Sequence, residues 1–91
     1  MLPAALSREE IYRRGYDIYD RLLRPKVETK DNIGKIIVID VDTGDYEIDR
    51  DGLAANHRAL AKHPGATLLG LRIGYDAVEG FGSYVPQRAK Q

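Results

Sequence analysis

The sequence predicts a small α+β domain: an N-terminal helix, a β-hairpin, a second helix, then one or two strands in a small mixed sheet centred on residues 35–41. Three observations carry this. The run Ile36-Ile37-Val38-Ile39-Asp40-Val41 is apolar at five of six positions and rich in β-branched residues, so both faces of that strand must be covered. After Asp42-Thr43-Gly44, the segment Asp45-Tyr46-Glu47-Ile48-Asp49 alternates polar and apolar, the period of a strand with one wet face. Ser7-Arg8-Glu9-Glu10 has the spacing of a capping box ahead of an amphipathic helix.

Each element has a local reason. In the first helix, residues 8–23, Ile11, Gly15, Ile18 and Leu22 form one ridge, and Tyr12, Tyr16, Tyr19 and Leu23 the next. Leu6 and Ile11 stand at the two positions of a hydrophobic staple. Glu9–Arg13, Glu10–Arg14, Arg13–Asp17, Asp17–Arg21 and Asp20–Arg24 are i,i+4 pairs, each worth about 0.2–0.5 kcal/mol. Pro25 is expected to stop the helix, and residues 25–34 read as a polar loop. Gly44 suits the positive φ of a three-residue hairpin connection with a bulge. Tyr46 and Ile48 should face inward; Asp45, Glu47 and Asp49 should face outward.

Asp51 caps a second helix to about Lys62 or His63, with Leu53, His57, Leu60 and Ala61 expected along its inner face and Pro64-Gly65 ending it. Residues 67–73 form a third strand whose apolar set is Leu69, Leu71 and Ile73, and residues 78–84 are a weaker fourth. Residues 1–6 and 86–91 read as frayed tails of a single domain. A right-handed crossover from second to third strand, passing over the first, gives the order second–first–third. Two arrangements of the helices fit this pattern: one on each face, or both on one face with a partner chain on the other.

Composition narrows the function classes. Fourteen basic and fourteen acidic residues cancel, which argues against bulk electrostatic binding to nucleic acid or anionic lipid. The absence of cysteine excludes disulfides, thiolate metal sites and a cysteine nucleophile. No stretch approaches the length of a membrane span, and Met1 to Leu6 is too short and uncharged for a signal peptide, so the cytoplasm is expected. The charge is segregated: residues 40–51 hold six carboxylates against Arg50, whereas residues 58–91 hold five bases against Asp76 and Glu79.

Motifs that suggest chemistry mostly dissolve on inspection. Asp42-Thr43-Gly44 matches an aspartic-protease triplet, and its chemistry needs two such carboxylates sharing a proton across a dimer. Asp45 stands where a small apolar residue is required, and a helix occupies the N-terminus, so a hairpin turn is the better account. The segment from Asp40 to Asp51 resembles a calcium loop, but glycine falls fifth rather than sixth and the twelfth residue is Asp51. His57 and His63 are six apart on one helix and share no face for a metal; His57 reads as a core or boundary residue, His63 as a helix-end residue. Gly70, Gly74, Gly80 and Gly82 lack the lysine and hydroxyl residue of a phosphate loop.

What remains is surface. The ridge Tyr12, Tyr16 and Tyr19 and the acidic row Asp45, Glu47 and Asp49 are the candidate protein-binding residues, with no catalytic residue, metal ligand or cofactor assigned. The leading expectation is a non-enzymatic binding protein whose partner is another protein or its own second copy. The alternative is a small hydrolase or metal-assisted enzyme using Asp40, Asp42 or His57.

The blocks Gly34-Lys35-Ile36-Ile37-Val38-Ile39-Asp40, Thr43-Gly44-Asp45-Tyr46-Glu47-Ile48, Leu60-Ala61-Lys62-His63-Pro64-Gly65-Ala66 and Arg72-Ile73-Gly74-Tyr75 resemble a family of short uncharacterised bacterial proteins. The resemblance covers most of the chain. It implies a capped N-terminal helix, a Gly-Lys strand opening and a His-Pro helix end, with no catalytic motif to carry over. Some small proteins of this kind are regarded as antitoxin-like halves of gene pairs, so it also implies an antitoxin-like role.

Overall fold

The computed structural model describes residues 6–75 and the strand pair 78–79. Helix α1 (Arg8–Ile18) starts at the capping box: the Ser7 Oγ accepts from the Glu10 N–H at 3.1 Å, and the Glu10 carboxylate accepts from the Ser7 N–H at 3.0 Å. That bond to the Ser7 backbone is the main reason the Glu10 carboxyl lies below its ordinary range. Leu6, read from sequence as part of a loose tail, packs with Ile11 against the core. The other expected tail, residues 86–91, lies outside the described residues.

Pro25 does not stop the helix. A π turn (Tyr19–Leu23) follows α1, in which the Arg24 N–H reaches back to the Tyr19 carbonyl, and a short helix α2 (Arg24–Val27) continues from it. The wider turn restarts the ladder so that Pro25 falls in the first turn of α2, where a missing N–H costs nothing. Tyr19, Leu23 and Val27 are buried, while Leu22, expected on the buried ridge, is 53 % exposed.

Strands β1 (Ile36–Asp40), β2 (Tyr46–Asp49), β3 (Leu68–Arg72) and β4 (Val78–Glu79) form one sheet in the order β2-β1-β3-β4. Every pairing is antiparallel, which corrects the expected mixed sheet: β2 and β3 run the same way, but β1 lies between them. The order second–first–third is as expected. Only Val78 and Glu79 of the expected 78–84 strand are described; residues 80–84 lie outside the described residues.

The hairpin from β1 to β2 closes on a bulge. The Gly44 N–H donates to the Asp40 carbonyl, and the Asp40 N–H donates to the Asp45 carbonyl, so two residues oppose one. Gly44 has φ +83°, the conformation this bulge requires at its first position.

Helix α3 (Gly52–Lys62) is capped by Asp51, whose carboxylate accepts from the Leu53 N–H at 3.0 Å. The two helical regions cover opposite faces of the sheet, so β1 is sealed twice. Ile37, Ile39 and Val41 join Leu69, Leu71, Ile73, Tyr19, Leu23 and Val27 on the α1 side. Ile36 and Val38 join Ala55, Ala59 and Leu68 on the α3 side. Ile37, Val38 and Ile39 are fully buried. Each such side chain contributes about 1.5–3 kcal/mol relative to exposure. Gly15 permits the close approach of α1: a Cβ there would lie 2.3 Å from Leu69 Cδ2.

The inner face of α3 is not the expected one. Ala55, Asn56 and Ala59 are buried, whereas Leu53 (55 % exposed), His57 and Ala61 look outward and Leu60 sits at the boundary. The small alanines let the helix lie close on β1, and Arg58 and Lys62 on the same helix reach the carboxylates of β2.

Candidate functional site

Along β1 the residues alternate in which neighbour they bond. Val41 N–H donates to the Thr67 carbonyl and the Ile73 N–H to the Lys35 carbonyl, so odd-numbered residues bond toward β3. Asp40 bonds toward β2, with the even-numbered residues. The partners of the odd residues on β2, Tyr46 and Ile48, therefore turn their backbone groups to the outer edge of the sheet.

That edge is dressed by side chains. Arg58 uses its whole guanidinium: Nε donates to Glu47 Oε1 at 2.9 Å, Nη1 to Asp49 Oδ2 at 3.0 Å, and Nη2 to the Ile48 carbonyl at 2.9 Å. The Tyr46 N–H donates to the Asp45 carboxylate at 3.0 Å. Lys62 Nζ lies 2.6 Å from Glu47 Oε2 and 3.2 Å from Asp45 Oδ2, and His63 Nε2 lies 3.1 Å from Asp45 Oδ2. The row Asp45, Glu47 and Asp49 does face away from the α1 side as expected, but it faces the chain's own α3 rather than open water. Its carboxyls all lie below their ordinary range: Asp45 chiefly through His63 and Lys62, Glu47 through Lys62 and Arg58, and Asp49 through the Asp51 N–H and Arg58.

The tyrosine ridge is divided. Tyr19 is 4 % exposed and belongs to the core rather than to the accessible part of the ridge. Its hydroxyl donates to Glu28 Oε2 at 2.6 Å, and Arg24 lies over its ring at 5.1 Å from the centroid. Burial, then the bond to Glu28, pushes the phenol well above its ordinary range. Tyr12 and Tyr16 are half-buried against the same core, with ring centroids 5.0 Å apart in an edge-to-face pair. A cavity of about 250 Å³ opens beside the π turn, lined by Tyr16, Tyr19, Arg24, Glu28, Gly74 and Tyr75 among others. Arg24 bonds to Asp20 and Glu28, which spends its charge inside the chain.

The hairpin residues of the enzymatic alternative serve the turn. Asp40 is 2 % exposed, and its Oδ1 accepts from the Asp42 N–H at 2.9 Å and the Thr43 N–H at 3.2 Å. Asp42 is exposed and lies 3.4 Å from Arg14 on α1. His57 is exposed on the outer face of α3, remote in sequence and face from both. Among the described residues, no group of three or more His, Asp or Glu side chains is placed to hold a metal ion. No described helix is long and apolar enough to cross a membrane.

Sequence reasoning misses the outward turn of Leu53, which the helical pattern places on the inner face; Leu60, expected on that same face, does pack against the α3-side core. Sequence reasoning also misses Arg58 as the residue that joins β2 to α3; the signal is available in the acidic alternation of residues 45–49 facing bases spaced i,i+4 at 58 and 62. No family model matches this chain, and no curated protein or solved structure matches it either.

Proposed function

We propose that this chain is a non-enzymatic binding protein that works by protein contact, with self-association into a homodimer as its first form and an antitoxin-like role as the biological setting the resemblance implies. One observation supports the reading above the others. Leu53, in the first turn of α3, looks away from the sheet and is 55 % exposed, while Ala55 and Ala59 make the contact with β1. A helix turned with alanines inward and leucine outward offers an apolar surface that water covers poorly. Meanwhile Asp40 is used in the hairpin and the β2 carboxylates are used on α3, which is the pattern of a scaffold rather than a reaction centre.

Sedimentation velocity over a wide concentration range tests this. Self-association that is weakened by Leu53→Glu, with the melting temperature preserved, is the expected result. A chain that stays monomeric up to millimolar concentration, together with an Asp42→Asn variant that loses a measurable turnover while keeping its fold, would overturn it in favour of the enzymatic alternative.

A further inference from the structure

We infer that the outer edge of β2 is a strand-addition site for an extended basic segment of a partner protein, and that Arg58 occupies it in the unbound chain as a built-in competitor. This rests on the reading of the chain as a contact protein, and it names the partner's chemistry.

The edge is defined by register. Tyr46 and Ile48 direct their backbone N–H and C=O groups away from β1, where among the described residues no strand pairs with them and a further antiparallel strand would bond. The Tyr46 N–H meanwhile donates to the Asp45 carboxylate, a bond the added strand would replace. Open edges of this kind invite pairing, and natural sheets guard them with charged side chains. Here the guard imitates a strand. The Arg58 Nη2 donates to the Ile48 carbonyl at the place of a partner's backbone N–H. The remaining nitrogens meet Glu47 and Asp49 as a partner's basic side chains would.

Charge selects the occupant. A second copy pairing about a two-fold axis in the Tyr46 to Ile48 register would set Glu47 directly opposite its own counterpart, and like charges at directly opposed positions destabilise a ladder. A strand with lysine or arginine at alternate positions instead places one cation opposite each of Asp45, Glu47 and Asp49. Its intervening residues then fall beside Tyr46 and Ile48 on the apolar side of the sheet. Arg58 is 46 % exposed and can swing aside on its flexible stem without disturbing Ala55 or Ala59, which hold α3 to the sheet.

The test titrates a blocked Lys-Val-Lys-Val-Lys peptide into the full chain, read by calorimetry and by the amide resonances of Tyr46 and Ile48. Binding is expected for wild type, and Arg58→Ala should tighten it about tenfold because one charge-assisted competitor is gone. Lys62→Ala removes the same charge without freeing the Ile48 carbonyl, so its gain should be smaller. The peptide N-methylated at both valines should not bind. Arg58→Gln serves as a second variant if Arg58→Ala melts early. Three results would each overturn the inference: no binding to wild type or either Arg58 variant, equal binding of the N-methylated peptide, or equal gains from Arg58→Ala and Lys62→Ala. Peptide binding and self-association are separate readouts, so loss of the first with sedimentation intact rejects the edge alone. The reverse rejects the α3 reading alone.

Discussion

Replacing Gly15 by alanine sets two opposed effects against each other inside one helix. Alanine is the better helix former by about 0.8–1 kcal/mol. Against this, the new Cβ would stand 2.3 Å from Leu69 Cδ2, where ordinary contact begins at 3.4 Å. Leu69 is 1 % exposed and packed among Ile37, Ile39 and Leu71, so it has no empty space to enter. Either Leu69 leaves its rotamer or α1 lifts by about 1 Å, and overpacking of this kind costs about 1–3 kcal/mol. The net expectation is a loss of about 0–2 kcal/mol, or up to roughly 16 °C in melting temperature for a domain of this size. Because the lower limit is near zero, the decisive assay is a double-mutant cycle by urea denaturation. In a Leu69→Ala background the steric conflict is gone, so Gly15→Ala should become neutral or stabilising, with a coupling of about 1 kcal/mol or more. Equal effects of Gly15→Ala in both backgrounds would refute the close approach of α1 to β3.

Four further outcomes are expected. Asp51→Ala removes the cap of α3 and should cost about 1 kcal/mol in urea unfolding. Asp40→Leu strands the Asp42 and Thr43 amides and should cost about 1–3 kcal/mol, whereas Asp40→Asn keeps an acceptor and should cost less. Among the described residues nothing donates to the buried Asn56 Oδ1, so Asn56→Ala should raise stability by about 1 kcal/mol rather than lower it. The carboxyls of Asp45, Glu47 and Asp49 are lowered on folding, so the stability they contribute is complete above the ordinary carboxylate range and is lost as pH falls through their folded values. The urea midpoint should therefore drop on acidification from pH 6 to below about 4, and Glu47→Gln should flatten that drop.

Much of this architecture is written in local pattern. The β1 run is apolar on both faces because both faces are covered, and Ser7, Asp51 and Gly44 each declare a boundary through their own chemistry. Two features escaped for a shared reason: they depend on what an element meets, not on its own residues. The π turn is invisible in a 3.6-residue pattern, so Pro25 reads as a stop although the widened turn accommodates it. The rotation of α3 is likewise decided across space: Ala55 and Ala59 pack with Ile36 and Val38, and Leu53 is left 55 % exposed. The surroundings of the candidate contact residues are decided in the same way. Tyr19 is an amphipathic side chain whose hydroxyl meets its polar partner, the half-buried Glu28, at the edge of the core, and the acidic row meets its bases one layer away.

Native-state hydrogen exchange of the backbone amides tests most directly whether one doubly covered strand organises the molecule. The amides of Ile37, Val38 and Ile39 should be the slowest in the chain and should open only with global unfolding, while those of Tyr46 and Ile48 at the β2 edge exchange faster. Exchange from the middle of β1 as rapid as from that edge would contradict the account.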